Sequence, residues 1–346
     1  MKILYAVQGT GNGHITRAME IIPYLEKKGE LDILVSGIQS DIELPFKVKY
    51  KFNGLSFIFG KKGGVDFWKT FVKLNSLKLL NEIQKLDVKQ YDLIISDFEP
   101  VSCWAAIKAK RVCVGLSNQV VTLHPLAPQP KSNDIIGRLV LQNYAPTTFN
   151  YGFHFKSLDA NVFTPIIRKE VRELIPTDIG HYTVYLPSYN DEQILKRLQK
   201  IENVTWEVFS KHNKEEKKYK NITIMPINGQ KFLKSIASSK GVFCNAGFGT
   251  ASEALFLKKK LLVVPMKKQL EQFCNAEMLL SMGVSVIKKF NSKSIPLLEQ
   301  WLLDDTIVNV DFPDNAEKII DLIVENHAGK QKLDTKYESD HYSLFQ

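Results

Sequence analysis

Residues 2–22 read KILYAVQGTGNGHITRAMEII: an apolar run, then glycines at 9, 11 and 13, then a histidine, then apolar residues at helical spacing. The unbroken hydrophobicity of Ile3 to Val7 is that of a strand buried on both faces. Ile15, Ala18, Met19, Ile22 and Leu25 recur as one face of a helix. Gly29 supplies a stop, and Pro23 inside the pattern predicts a kink. A buried strand that ends in a glycine turn and opens a helix is the first unit of a parallel α/β sheet. Glycine lets the backbone approach a ligand closely, and the N–H groups at a helix start favour an anion.

A dinucleotide fingerprint is disfavoured. Its third glycine would stand at 14, where the chain has His14, and the acid expected after the second strand is replaced by Ser36 and Gly37. An imidazole at this helix entrance suits a general base, because it titrates near neutrality. The alternative is that His14 only caps the helix.

The alternation continues along the chain. Ile33–Ser36, Leu93–Asp97 and Val112–Ser117 read as strands in the first half. After a proline-bearing joint at 161–180, Tyr182–Leu186, Val204–Phe209, Ile222–Met225, Val242–Asn245 and Leu261–Pro265 follow, with a helix over Glu192–Ile201. A late amphipathic helix is expected near Asp314–Asn326, then a polar tail. The 346 residues suit two domains, and 44% apolar with 24% charged residues is a globular composition. No apolar run is long enough for a membrane span, and no signal peptide is expected before the first strand. Four scattered cysteines without a CxxC pair imply reduced thiols, no zinc site and a cytoplasmic setting.

A second glycine loop lies at 241–255, GVFCNAGFGTASEAL. The strand ends at Asn245, Gly247 and Gly249 would admit a diphosphate, and Thr250 and Ser252 lie at the helix start. Glu253 either complements the helix dipole or binds the two hydroxyls of a ribose. The next loop, PMKKQLEQFCNAEML from 265, clusters Glu271, Gln272 and Asn275 as partners for sugar hydroxyls. LIISDFEP (93–100) ends a strand with Asp97 and Glu99. Asp97 reads as the carboxylate that orients His14; capping the next helix and holding a metal with Glu99 are its alternatives. Asn118 and Gln119 follow Ser117 at the end of a further strand.

GTGNGH, NAGFGTASEAL and P…EQFCNA in this order resemble the GT-B nucleotide-sugar glycosyltransferases over roughly residues 1–325. The similarity extends to the N-acetylglucosaminyltransferase of the peptidoglycan lipid precursor and to uncharacterised bacterial and archaeal proteins with a GxGxGHxxRA start. The resemblance implies two Rossmann-like domains facing across a cleft. These are an acceptor domain (1–160), a linker (161–180) and a donor domain (181–312), then a helix (313–327) returning to the first domain and a tail (328–346). It implies diphosphate contacts at Gly247, Gly249 and Thr250, a ribose ligand at Glu253 and donor-sugar contacts at Glu271 and Gln272; Ser188, Asn245, Phe248 and Asn275 are further expected donor contacts. Gly11, Gly13, Arg17, Asn118 and Gln119 are expected on the acceptor side; the resemblance makes His14 the catalytic base or an acceptor-binding residue, and Asp97 is expected as its catalytic partner. No cofactor or metal is implied, and the nucleotide sugar, UDP-linked, is a co-substrate. Asn245, Ala246 and the YLPSYN loop depart from the family pattern.

The expected function is inverting, metal-independent transfer of a sugar to an acceptor hydroxyl in cell-envelope glycolipid or polysaccharide synthesis. Its rivals are a nucleotide-sugar epimerase and a non-catalytic nucleotide-sugar-binding subunit. The net charge is +9, and residues 44–78 hold eight lysines against one acid. Within 60–78, Phe67, Trp68 and Phe71 alternate with lysines, as a peripheral contact with an anionic membrane on its inner face or as an ordinary amphipathic helix. No nucleic-acid module is present.

Overall fold

The computed structural model describes residues 1–37, 43–55, 76–130 and 134–330. The first sheet contains β1 (Lys2–Gln8), β2 (Glu30–Ser36), β3 (Val48–Phe52), β4 (Leu93–Asp97), β5 (Val114–Ser117), β6 (Phe149–Phe153) and β7 (Val162–Phe163), in the order β3-β2-β1-β4-β5-β6-β7. All its pairings are parallel. The second sheet contains β8 (His181–Tyr185), β9 (Thr205–Ser210), β10 (Lys217–Tyr219), β11 (Ile222–Pro226), β12 (Gly241–Asn245), β13 (Lys260–Val264) and β14 (Ser285–Val286). Its order is β10-β11-β9-β8-β12-β13-β14, with only β10 antiparallel. Strand order reverses between β1 and β4 and again between β8 and β12. In such sheets the crevice beyond the strand C-termini at the reversal receives ligands.

Central strands show why the apolar runs mark them: β4, β12 and β13 are buried at every residue. Strand β3 was not legible that way, because VKYKF alternates with lysine. It is an edge strand, where lysine discourages pairing with another chain, and Lys49 reaches Asp32 on β2 at 2.5 Å. Lys47, Lys49 and Lys51 of the basic segment therefore belong to or adjoin this edge. Residues 56–75, which carry most of the expected membrane-facing stretch, lie outside the described residues, as does the tail from 331. Among the described residues no helix is long and apolar enough to cross a membrane.

The first helix, Asn12–Glu26, continues through Pro23, which sits on its exposed side. Strand β5 starts later than expected because the backbone N–H of Cys113 donates to the Thr148 hydroxyl rather than to a strand partner. Strand β7 falls inside the stretch read as a linker and closes the first sheet's edge. One hydrophobic cluster runs from β1, β4 and β5 through Phe155, Ile167 and Val171 to the helix Phe248–Phe256 and to Ile319, Ile320 and Ile323. The last three lie on the helix Ala316–His327, which crosses back to the first domain. Lys27 meets Glu317 at 3.2 Å, Lys28 meets Asp321 at 2.6 Å, and Tyr151 meets His327 at 2.9 Å.

Candidate functional site

A cleft of about 1740 Å³ lies between the sheets, lined from one side by Gly11, Gly13, His14, Phe98 and Gln119 and from the other by Ser188, Gly247, Gly249, Thr250 and Glu271. The glycines divide into two kinds. A Cβ on Gly9 would stand 2.9 Å from Val35 Cγ1 and 3.1 Å from the Ser36 carbonyl, so Gly9 serves the contact between β1 and β2. Gly11 has φ of 92°, and a Cβ on Gly11, Gly13 or Gly249 would meet nothing within 4 Å. These three border open cleft rather than protein.

Two helices present their N-termini here. Asn12–Glu26 and Phe248–Phe256 both begin after a glycine, and neither has a side-chain cap bond or an acid in its first turn. Both helix starts border the cleft, and the backbone N–H groups of a helix's first turn favour an anion.

His14 and Asp97 come together from the ends of neighbouring elements. His14 Nδ1 lies 2.8 Å from Asp97 Oδ1, and Asp97 is fully buried. Burial alone would raise the Asp97 pKa, but the Arg17 guanidinium and His14 hold it below the ordinary value. With Nδ1–H donated to a carboxylate, the lone pair of His14 belongs to Nε2. The alternative that Asp97 caps the following helix is corrected. Glu99 is the cap, accepting from the N–H groups of Val101 and Ser102 at 2.7 and 2.6 Å and from the Ser36 hydroxyl at 2.6 Å. The carboxylate pair is thus divided between two tasks. Among the described residues no group of three or more His, Cys, Asp or Glu is arranged to hold a metal.

Arg17, expected as an acceptor contact, lines the cleft with its guanidinium bonded to neighbouring side chains. Its Nε donates to Asp97 Oδ2 at 2.9 Å, one terminal nitrogen to Asp97 Oδ1 at 2.5 Å, and the other to Asn118 Oδ1 at 3.0 Å. The guanidinium is committed to neutralising and fixing Asp97. Asn118 and Gln119, expected at the acceptor, reach across the cleft to Glu271, expected at the donor sugar. Their side-chain nitrogens donate to the two Glu271 oxygens at 2.8 and 3.2 Å. Gln119 Nε2 also stands 3.3 Å from His14 Nε2.

The other residues expected on the donor side divide between wall and support. Ser188, Gly247, Phe248, Gly249, Thr250, Glu253, Glu271 and Gln272 line the cleft, whereas Asn245 and Asn275 do not. Asn245 Oδ1 accepts from the Ser188 hydroxyl at 2.9 Å, and its amide nitrogen donates to the Val264 carbonyl. Asn275 donates to the Ala246 carbonyl at 3.0 Å. Both asparagines shape the glycine loop from behind. Gln272 accepts from the Met266 N–H at 3.0 Å. Phe248 also packs on Phe155 of the first domain, with ring centroids 5.0 Å apart. Glu253 accepts from Arg168 Nε at 2.6 Å, a partner not anticipated from the sequence because Arg168 lies in the joint between domains.

Phe98 was also missed. It adopts φ of 55°, a left-handed conformation rare for a bulky residue. This places its ring parallel to that of His14, with 6.5 Å between centroids, and against Tyr144 at 4.8 Å. Gln8 donates to the Tyr144 hydroxyl, which donates to the Leu55 carbonyl. No local sequence signal marks such a conformation at a residue other than glycine.

A family model described as glycosyl transferase family 1 matches residues 1–303. Similar solved structures include the glycosyltransferase SnogD from Streptomyces nogalater, at 12% identity and TM-score 0.53 over 94% of this chain and 99% of that one. UGT89C1 of Arabidopsis thaliana complexed with UDP is similar at 12% identity and TM-score 0.58, over 95% and 97%. MurG of Acinetobacter baumannii is similar at 12% identity and TM-score 0.55, over 94% and 99%. Such identities show a shared fold, the two Rossmann-like domains of GT-B. No curated protein matches the chain.

Proposed function

We propose that this chain, which belongs to glycosyl transferase family 1 and is a glycosyltransferase, takes its sugar from a UDP-linked donor and passes it to an acceptor hydroxyl with inversion and without a metal. The observation that carries this reading is the buried His14–Asp97 pair, set across the cleft from the uncapped N-terminus of Phe248–Phe256. The acceptor hydroxyl transfers its proton to His14 Nε2 as its oxygen bonds to the anomeric carbon. The bond from that carbon to the donor diphosphate breaks, and the diphosphate leaves with the electron pair. N–H groups near Gly249 and Thr250 meet the charge that develops there, a preorganised contribution of the oxyanion-hole kind. Asp97 keeps the Nδ1–H tautomer and offsets the imidazolium that forms.

Open space at Gly249 leaves room for the diphosphate, and Glu253 and Glu271 line the donor side for the ribose and sugar hydroxyls. One similar structure is a complex with UDP, which favours that nucleotide. Metal-independent transfer is favoured by the commitment of Glu99 to a helix start and of Asp97 to His14 and Arg17. On the acceptor side, the helix Ile135–Tyr144 lines the cleft with Gly137, Val140 and Leu141 while Ile135, Ile136 and Leu139 face solvent. That continuity favours an amphiphilic acceptor such as a lipid-linked glycan of the cell envelope.

The test is a thermal-shift panel of UDP, GDP, dTDP, ADP and their sugar conjugates on wild type and Glu253→Ala. A donor at a hundredfold over its dissociation constant adds about 2.7 kcal/mol. Stabilisation by a UDP-sugar that the substitution weakens supports the reading. Stabilisation by another nucleotide alone overturns the donor assignment.

A further inference from the structure

The bonds described above close into a ring that crosses the cleft. Asp97 holds His14 and Arg17, Arg17 holds Asn118, and Asn118 and Gln119 both hold Glu271. Gln119 returns to His14. Two features of the ring bear on the base. First, the nitrogen that closes it is His14 Nε2, the atom that must receive the acceptor proton. Second, the orientation of the Gln119 amide is determined: Glu271 and the Nε2 lone pair are both hydrogen-bond acceptors, so the Gln119 NH2 group faces both. Its carbonyl oxygen is buried and has no hydrogen-bond partner. An amide oxygen left in that condition is costly, so something must hold the amide in place. The element that does so is Glu271, 152 residues away on the donor domain.

We propose that Gln119 is a positioning residue that covers the base until the donor sugar arrives. The proposal rests on the reading of His14 as the base. Glu271 is bonded by two neutral amides, Asn118 and Gln119, and lies at the start of the helix Leu270–Ser281. Hydroxyls of a donor sugar at that carboxylate compete with those amides directly. Once Glu271 accepts from the sugar, the Gln119 NH2 group loses its anchor and swings from His14 Nε2, and its carbonyl oxygen gains freedom to find a donor. The acceptor hydroxyl then takes the vacated place. Donor binding and base availability become one event, and the reaction acquires an order, donor before acceptor.

The experiment reads His14 itself, in protein without substrate, so that it stays decisive if the donor assignment fails. The Nε2 resonance of His14 is followed in 15N-histidine-labelled protein and assigned by its loss in His14→Gln. Gln119→Leu removes the cover and Glu271→Gln weakens its anchor. Both are expected to move the Nε2 signal in the same direction, with the double variant moving no further than Gln119→Leu alone. A Glu271→Gln signal at the wild-type position overturns the proposal, as does a double variant whose shift is the sum of the two. A second readout is the response to donor: adding whichever nucleotide sugar stabilises the protein is expected to move the wild-type Nε2 signal in the direction that Gln119→Leu moves it, and to move it less in Gln119→Leu, where no cover is left to release. A merely structural Gln119 would give wild type and variant the same response. Equal responses, or a wild-type signal that the nucleotide sugar leaves in place, also overturn the proposal.

Discussion

Nδ1 of His14 stands 2.8 Å from Oδ1 of Asp97, although 83 residues separate them in the chain. Parallel pairing of β1 with β4 brings this about, since it sets Val7 opposite Asp97 and carries the glycine loop over the end of β4. The relationship fixes the tautomer of His14, and its loss has a defined consequence. In Asp97→Asn the amide can donate to Nδ1, which moves the ring proton to Nε2 and removes the lone pair from the cleft. Transfer is expected to fall by about 10²–10⁴-fold, the range that general-base catalysis supplies, while donor affinity is kept. Steady-state kinetics with a direct donor-binding measurement checks this; equal loss of binding and turnover would count against the base role. Stability is also expected to fall, by about 3–5 kcal/mol, because Arg17 loses its buried counter-charge.

The glycines supply a second prediction, in which fold and function separate. Gly9→Ala places a Cβ 2.9 Å from Val35 Cγ1 and is expected to destabilise the protein by about 1–3 kcal/mol. Gly249→Ala meets nothing within 4 Å and lies in the first turn of a helix, so stability is expected to stay within about 0.5 kcal/mol or to rise. Donor affinity of Gly249→Ala should nevertheless fall about tenfold or more, equivalent to about 1.4 kcal/mol. Denaturant melts beside nucleotide-sugar titrations distinguish the two. A fully functional Gly249→Ala would remove the diphosphate from this loop.

Both loops were legible in the sequence because each is local: strand, glycines and helix lie within about twenty residues. The apolar strands were legible for the same reason, since burial on both faces leaves an unbroken run. Three kinds of feature were not. Edge strand β3 hides behind its lysines, which answer to solvent rather than to the core. The division of labour between Asp97 and Glu99 turns on which carboxylate points at the helix start and which at His14, and two acids one residue apart look alike as letters. Contacts between domains, Glu271 with Gln119 and Glu253 with Arg168, depend on how two independently patterned sheets face each other. No periodicity carries that information, so residues expected on opposite substrates proved to be partners.

An amphiphilic acceptor makes the solvent-facing side of Ile135–Tyr144 part of its binding path. Ile136 and Leu139 are 65% and 54% exposed, so Ile136→Gln and Leu139→Gln are expected to cost at most about 0.5 kcal/mol of stability. Transfer to a long-chain alkyl glycoside should weaken in the double variant by about tenfold, as two apolar contacts of about 0.8 kcal/mol per methylene are lost. Transfer to the matching methyl glycoside should not change. Equal rates with both acceptors in wild type would refute the amphiphilic reading.

His154 lies at the end of β6, buried beside Phe155, and burial together with the nearby His124 lowers its pKa from 6.5 to about 4. The unfolded chain therefore takes up a proton on this residue well before the folded one does. Stability contributed by the neutral imidazole is complete above pH about 6.5, declines as pH falls, and is gone below about 4. The integrated effect is about 3 kcal/mol. Other carboxylates titrate in the same window, with Asp97 lowered and Glu99 raised by their surroundings, so the total curve mixes several groups. The difference between wild type and His154→Gln isolates this one. Unfolding free energies measured at intervals from pH 7.5 to 4 should converge as the solution becomes more acidic. A constant difference across that range would mean that His154 takes up its proton equally in the folded and unfolded chains.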